Sequence, residues 1–142
     1  MIAFIILILI NAYILATTRE PRKLVEVKEK YQILRQHFTD TDHPKFNMLQ
    51  RPVPLTGMKS MNGAVGYNTN KGQEIVICLD GEVNEIFHVL IHELAHCTVD
   101  EYSHSDEYWN NYIELRDICV NLGIYEKIPE MKKFCGSHVQ DK

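Results

Sequence analysis

The chain has 142 residues, 45% hydrophobic and 24% charged, enough for one packed domain and little more. Its net charge of −4 is unevenly spread: residues 1–59 carry 9 Lys/Arg against 5 Asp/Glu, and residues 60–142 carry 6 against 14. The second part lacks the cationic surface that neutralises phosphates, so direct nucleic-acid binding by it is disfavoured.

Met1 to Ala16 is apolar except for Asn11 and carries no charge; Thr17, Thr18 and then Arg19, Arg22 and Lys23 follow. With its threonines the segment just reaches the roughly 17 apolar residues needed to span a bilayer as a helix. A secreted, cleaved form is the alternative, but no Lys or Arg precedes the run and Ile14-Leu15-Ala16 makes a poor cleavage site. Residues 1–18 are therefore expected to be a single-pass transmembrane anchor, with the basic flank keeping the catalytic domain on the cytoplasmic side.

Pro21 to Phe38 has the pattern of an amphipathic helix, with Leu24, Val25, Val27, Tyr31, Leu34 and Phe38 set among charges, either packed on the domain or standing as a stalk. Thr39 to Lys45 reads as a loop, and Pro52 and Pro54 allow residues 46–61 only an edge strand or extended segment. Ala64–Asn68 and Glu74–Leu79 read as a β-hairpin turning through Asn70 and Gly72. A helix is expected over Glu82–Val99, capped by Asp80, and a second over Ser105–Leu122, stopped by Gly123. Cys78, Cys97, Cys119 and Cys135 form no C-x-x-C pair and read as mostly buried small residues, though an even count permits two disulfides in an oxidising compartment.

The first of those helices carries His92-Glu93-Leu94-Ala95-His96. Histidines four apart share a helix face, near enough to hold one tetrahedral zinc, and Glu93 sits where a general base toward water is needed. The motif lies among Phe87, Val89, Leu90, Ile91 and Val99, where polar groups left unsatisfied cost about 1–3 kcal/mol each. A shared metal accounts for three of them together. His104 is the best third ligand, in a short loop before the second helix, with Asp106, Glu107 or Glu114 as fallbacks. His88 and His96 would stand about 12 Å apart along a helix axis, too far to share one ion, so His88 is placed behind the ligands or at the cleft rim. His43 and His138 fall in expected loops and receive no role.

His92 to His96, followed by His104 and then Tyr108-Trp109, resembles the core of the minimal zincins of the WLM and SprT-like metallopeptidase group, which includes proteins of large DNA viruses. The resemblance covers roughly Ile75 to Cys135. It implies His92, His96 and His104 as zinc ligands and Glu93 as general base, the assignments that the spacing also suggests. That family is associated with proteolysis of DNA-linked proteins, from which the acidic second half and apolar start of this chain depart.

The expected fold class is α+β: a zincin-like domain over residues 46–142 with a small hairpin or sheet, an active-site helix and a second helix. It is preceded by a helix and loop over 19–45 and the transmembrane helix. The expected function is a zinc-dependent endopeptidase acting on protein or peptide substrates and attached to the membrane by its N-terminal helix. A zinc amide or ester hydrolase and a non-catalytic, membrane-anchored zinc-binding module are the alternatives; the second gains nothing from Glu93. Tyr102 and Tyr125 are possible oxyanion donors, and an exposed edge such as Glu74–Leu79 could pair with a substrate strand.

Overall fold

A computed structural model describes residues 1–142. Helix α1 (Ile2–Thr17) is apolar apart from Asn11 and Thr17 and buries no residue against the remainder of the protein. Neither it nor any other single helix is long and apolar enough to cross a membrane; α1 and the helix after it meet the length and composition together but bend by 58° where they join. The expectation that residues 1–18 form a single-pass transmembrane helix is therefore not met by α1 alone. At about 1.5 Å per residue, 16 residues fall short of a hydrocarbon core of about 30 Å.

Helix α2 (Arg22–Thr41) buries Leu24, Val27, Tyr31, Leu34 and Phe38, a stripe at helical spacing that joins the main hydrophobic cluster. It packs on the domain and is not a stalk. It runs three residues beyond Phe38 into the expected loop and ends at Asp42, whose φ of 42° is left-handed. A short 3-10 turn (Asn47–Gln50) then leads to strand β1 (Leu55–Met58), which starts once Pro52 and Pro54 are passed and the backbone can donate hydrogen bonds again.

Strand β2 (Gly66–Thr69) and strand β3 (Glu74–Cys78) form the expected antiparallel hairpin, with Asn70, Lys71 and Gly72 all at positive φ in the turn. Strand β1 pairs with β3 in parallel, giving the order β1-β3-β2. The expected substrate edge at Glu74–Leu79 is thus the central strand, paired on both sides. This explains its run of buried residues: Ile75, Val76, Ile77 and Cys78 face layers above and below.

Helix α3 (Val83–His96) packs on the sheet and on α2. Its cap is Glu82, not Asp80: the Glu82 side chain accepts from the backbone of Glu85, whose carboxylate accepts from Glu82 N–H at 2.9 Å. The helix ends three residues before Val99 because Cys97 and Thr98 N–H tighten onto Leu94 and Ala95 carbonyls, with Thr98 Oγ1 also donating to Ala95. Helix α4 (Asp106–Asn121) is capped by Ser105, which accepts from Tyr108 N–H, and Gly123 follows it at φ 71°. A second, small hairpin, β4 (Lys132–Phe134) with β5 (Ser137–Val139), completes the fold. Phe134 packs so tightly over Gly81 that a Cβ there would lie 2.3 Å from its ring. Cys78 and Cys135 are joined in a disulfide, which corrects the reading of these two as plain apolar residues; Cys97 and Cys119 are free, and Cys119 is buried.

Candidate metal centre

Most of α3 is enclosed: Ile86, Phe87, Leu90, Ile91, Leu94 and Ala95 are fully buried, leaving one face toward the α3–α4 loop. His92 and His96 project from that face one turn apart. The loop from Cys97 to Ser105 folds back and brings His104 against both. Its Nε2 lies 3.1 Å from Nε2 of His92 and 3.1 Å from Nε2 of His96. The three side chains that sequence reasoning singled out as ligands are thus brought together, and the cluster could hold a metal ion. Tetrahedral ligands bonded at about 2.0–2.1 Å stand about 3.3 Å from one another, so the spacing of these nitrogens fits such a group. The charge state fits too. Burial first, and the neighbouring imidazoles next, hold the pKa of His92 down to about 3. Burial, then His104 and Lys71, hold His96 down to about 4, so both remain neutral donors at pH 7.

Two aromatic side chains fence the cluster. Tyr108 lies edge-on or tilted against all three imidazoles, and Trp109 covers His104 at 5.5 Å between ring centroids. The Tyr108 hydroxyl donates to the backbone carbonyl of His92, tying α4 to α3 at the level of the histidine cluster. Asn111 on α4 donates to Thr98 Oγ1 and holds the start of the loop that carries His104.

Glu93 is 7% exposed, and burial raises its carboxyl pKa to about 7. It shares a cleft of about 230 Å³ with His96. Strand β2 from Gly66 to Asn68 forms the opposite wall, and Lys71 and Tyr102 stand at the mouth. Gly66 permits this proximity, since a Cβ at that position would lie 2.7 Å from Val89 Cγ1 and 3.8 Å from Glu93 Oε1. Asn68 fixes the wall to the helix, donating to the Glu93 carbonyl at 2.9 Å and to Cys97 Sγ while accepting from Gly72 N–H. Neither Asn68 nor Lys71 was found by sequence reasoning. Their one local signal was the turn itself; their contacts to α3 and its following loop are tertiary.

The remaining sequence candidates lie elsewhere. His88 is buried in the interior and not at the rim, with Nδ1 2.9 Å from the Tyr125 hydroxyl and 3.5 Å from Asp141. Tyr125 donates to Asp141 at 2.7 Å inside the same cluster, which removes it as an oxyanion donor; Tyr102 lines the cleft. Asp106 and Glu107 occupy the first turn of α4, and Glu114 pairs with Lys45. None of the three joins the histidines. His43 lies beside Glu114 at 3.9 Å, and His138 is on β5.

No family model matches the chain. It is 28% identical over 101 residues to the uncharacterized protein 136R of Invertebrate iridescent virus 6, a match covering 64% of this chain and 56% of that protein. It is 30% identical over 80 residues to the uncharacterized protein R325 of Acanthamoeba polyphaga mimivirus, covering 49% and 41%. The chain thus spans about half the length of the curated relatives it matches. Among solved structures it is similar to the crystal structure of the metallopeptidase zymogen of Pyrococcus abyssi abylysin, with 25% identity, a TM-score of 0.42, and coverage of 67% of this chain and 97% of that one.

Proposed function

We propose that the protein is a zinc-dependent endopeptidase in which His92, His96 and His104 hold the ion and Glu93 carries the proton. The observation that supports this reading best is the meeting of three imidazole nitrogens, one of which, His96, lines a strand-edged cleft together with the buried carboxylate of Glu93. When bound, zinc supplies a Lewis acid that polarises a carbonyl and acidifies water. Glu93 takes the proton of the attacking water on its carboxylate oxygen and returns it to the leaving amine nitrogen. Strand β2 pairs with β3 on one side alone, so the free backbone groups of its outer edge can align an extended peptide along the cleft. Tyr108 and Asn111 keep the ligands in register, and the Trp109 ring packs against one side of the exposed His104.

Substrates are proposed to be proteins or peptides, and α1 is proposed to attach the enzyme to a membrane. Its surface, apolar apart from Asn11 and Thr17, packs on nothing else in the fold, and Arg19, Arg22 and Lys23 follow it. A bilayer could meet its short span by local thinning.

Because α1 contributes nothing to the core, residues 19–142 retain every packed side chain and serve for the test. Zinc content and casein turnover are measured for this protein, for Glu93→Gln and for His104→Ala. The expected result is about one zinc per molecule, turnover lost by a factor of 10² or more in Glu93→Gln with zinc retained, and zinc lost in His104→Ala. A wild type without zinc would refute the metal site; zinc without turnover on any protein, ester or amide would leave a binding module.

A further inference from the structure

We propose that the cleft beside Glu93 is a carboxylate subsite, in which Lys71 selects substrates by a negative charge on an acidic side chain or at the C-terminus of a peptide. The inference rests on the peptidase reading and names its substrate class.

Between Lys59 and Arg116 the sequence has ten Asp/Glu and one Lys/Arg, and that one is Lys71. A lone cation in so acidic a stretch would ordinarily pair with a neighbouring carboxylate. Lys71 forms no such pair, the ion pairs of the protein all lying elsewhere. Instead the left-handed turn at Asn70, Lys71 and Gly72 directs its side chain across to the α3–α4 loop. There Nζ donates to the carbonyls of Val99 and Glu101 and lies 4.7 Å from the centroid of the Tyr102 ring.

An ammonium has three donors. The two carbonyls take two and anchor the charge; the third remains for a ligand. The cleft it serves is about 230 Å³, room for one small side chain, and Lys71 is the single cation lining it. Its other walls bring polar and aromatic groups, so nothing there favours a large aliphatic residue. A substrate carboxylate arriving at Lys71 therefore gains a fixed partner.

The same contacts also let Lys71 act as a staple on the loop that carries His104, and the test separates the two roles. Fluorogenic peptides are prepared in which one Glu is walked through a neutral sequence, each beside its Gln twin, and each with a free and an amidated C-terminus. The ratio of kcat/KM within each pair is read for wild type, Lys71→Met and Lys71→Arg. Wild type should prefer the charged member at one position, or the free C-terminus, by roughly tenfold, the value of one charge-assisted hydrogen bond. Lys71→Met should bring that ratio close to one and Lys71→Arg should keep most of it. Equal cleavage of charged and neutral twins by wild type would overturn the proposal, as would a Lys71→Met protein that slows both members alike. Absence of turnover on every peptide would refute the peptidase reading instead. Fluorescence anisotropy of the same peptides on Glu93→Gln and on Glu93→Gln/Lys71→Met then still decides the subsite, since tighter binding of the charged twins must vanish with Lys71.

Discussion

His88 and His92 are the same residue type one turn apart on α3, and what faces each side chain separates their roles. His92 meets two other imidazoles at the cleft; His88 meets Tyr112, Tyr125 and Asp141 in the interior. Asp141 gathers that interior cluster, accepting from both tyrosine hydroxyls and from Ile128 N–H at 2.6–2.7 Å. Burial works to raise its pKa, but contacts with His88, the Tyr112 hydroxyl, the Ile128 amide and the Tyr125 hydroxyl outweigh that and hold it well below the usual carboxylate range. A carboxylate depressed in the folded state stabilises above its unfolded pKa of about 3.9, and that contribution is lost as pH falls toward the folded value. Asp141→Asn should therefore cost on the order of 1–3 kcal/mol at pH 7 and lose less than wild type on going to pH 3. Urea midpoints at the two pH values check this; parallel losses would mean the acid sensitivity resides in other carboxylates. Asn68 makes a second residue-scale case. Asn68→Asp keeps the acceptor for Gly72 N–H but removes the donor to the Glu93 carbonyl, so kcat should fall at least several-fold with zinc content unchanged. Turnover and zinc assayed on one preparation decide it.

At the scale of elements, the position of the ligand helix depends on its first turn. The Glu82–Glu85 capping box sets where α3 starts, and Glu85 also takes an ion pair from Lys132 of β4 at 3.1 Å, so one buried carboxylate fixes the helix and docks the terminal hairpin. Glu85→Ala should cost about 1–3 kcal/mol by loss of the cap and the ion pair, and Lys132→Met much less, because Lys132 is half exposed. Thermal melts of the two variants and their double mutant test whether the cap dominates. How legible each element was depends on how local its cause is. The helices and the β2–β3 hairpin were readable because periodicity, a capping serine and turn residues act over a few positions, as at Ser105 and Asn70–Gly72. His92 and His96 were readable for the same reason. The terminal hairpin was not: its strands have three residues each, and Lys132 and Lys133 point outward, so no alternation appears. Strand β1 was hidden behind two prolines, and the central place of β3 depends on β1, which pairs with it from 20 residues upstream. Glu82 was passed over for Asp80 because aspartate is the commoner cap, and only the reciprocal bond with Glu85 distinguishes them.

For the whole molecule, if α1 attaches the protein to a membrane as proposed, the basic flank and the disulfide point to opposite sides of it. Arg19, Arg22 and Lys23 after α1 bias the domain toward the cytoplasm. The Cys78–Cys135 bond, which ties the end of the central strand to the terminal hairpin across 57 residues, endures only where thiols are not continually reduced. Flank charge shifts a preference between orientations, whereas a reducing compartment would open the bond in either orientation, so the disulfide is the stronger indicator. Its value is also large: closing a loop of that length contributes about 2–4 kcal/mol, a sizeable share of the stability of a domain this small. The expected outcome is that protein taken from the cells that make it, with thiols blocked at lysis, carries Cys78 and Cys135 joined and Cys97 and Cys119 alkylated, the buried Cys119 after denaturation. Reductant should then lower the melting temperature of the isolated domain while leaving its zinc in place, since neither cysteine lies among the three histidines. Alkylation of all four cysteines would return the domain to the cytoplasmic side and make the bond one that forms only after extraction. Mass spectrometry of the blocked protein distinguishes the two without any assay of activity, so the placement of the domain can be fixed independently of the proposed function.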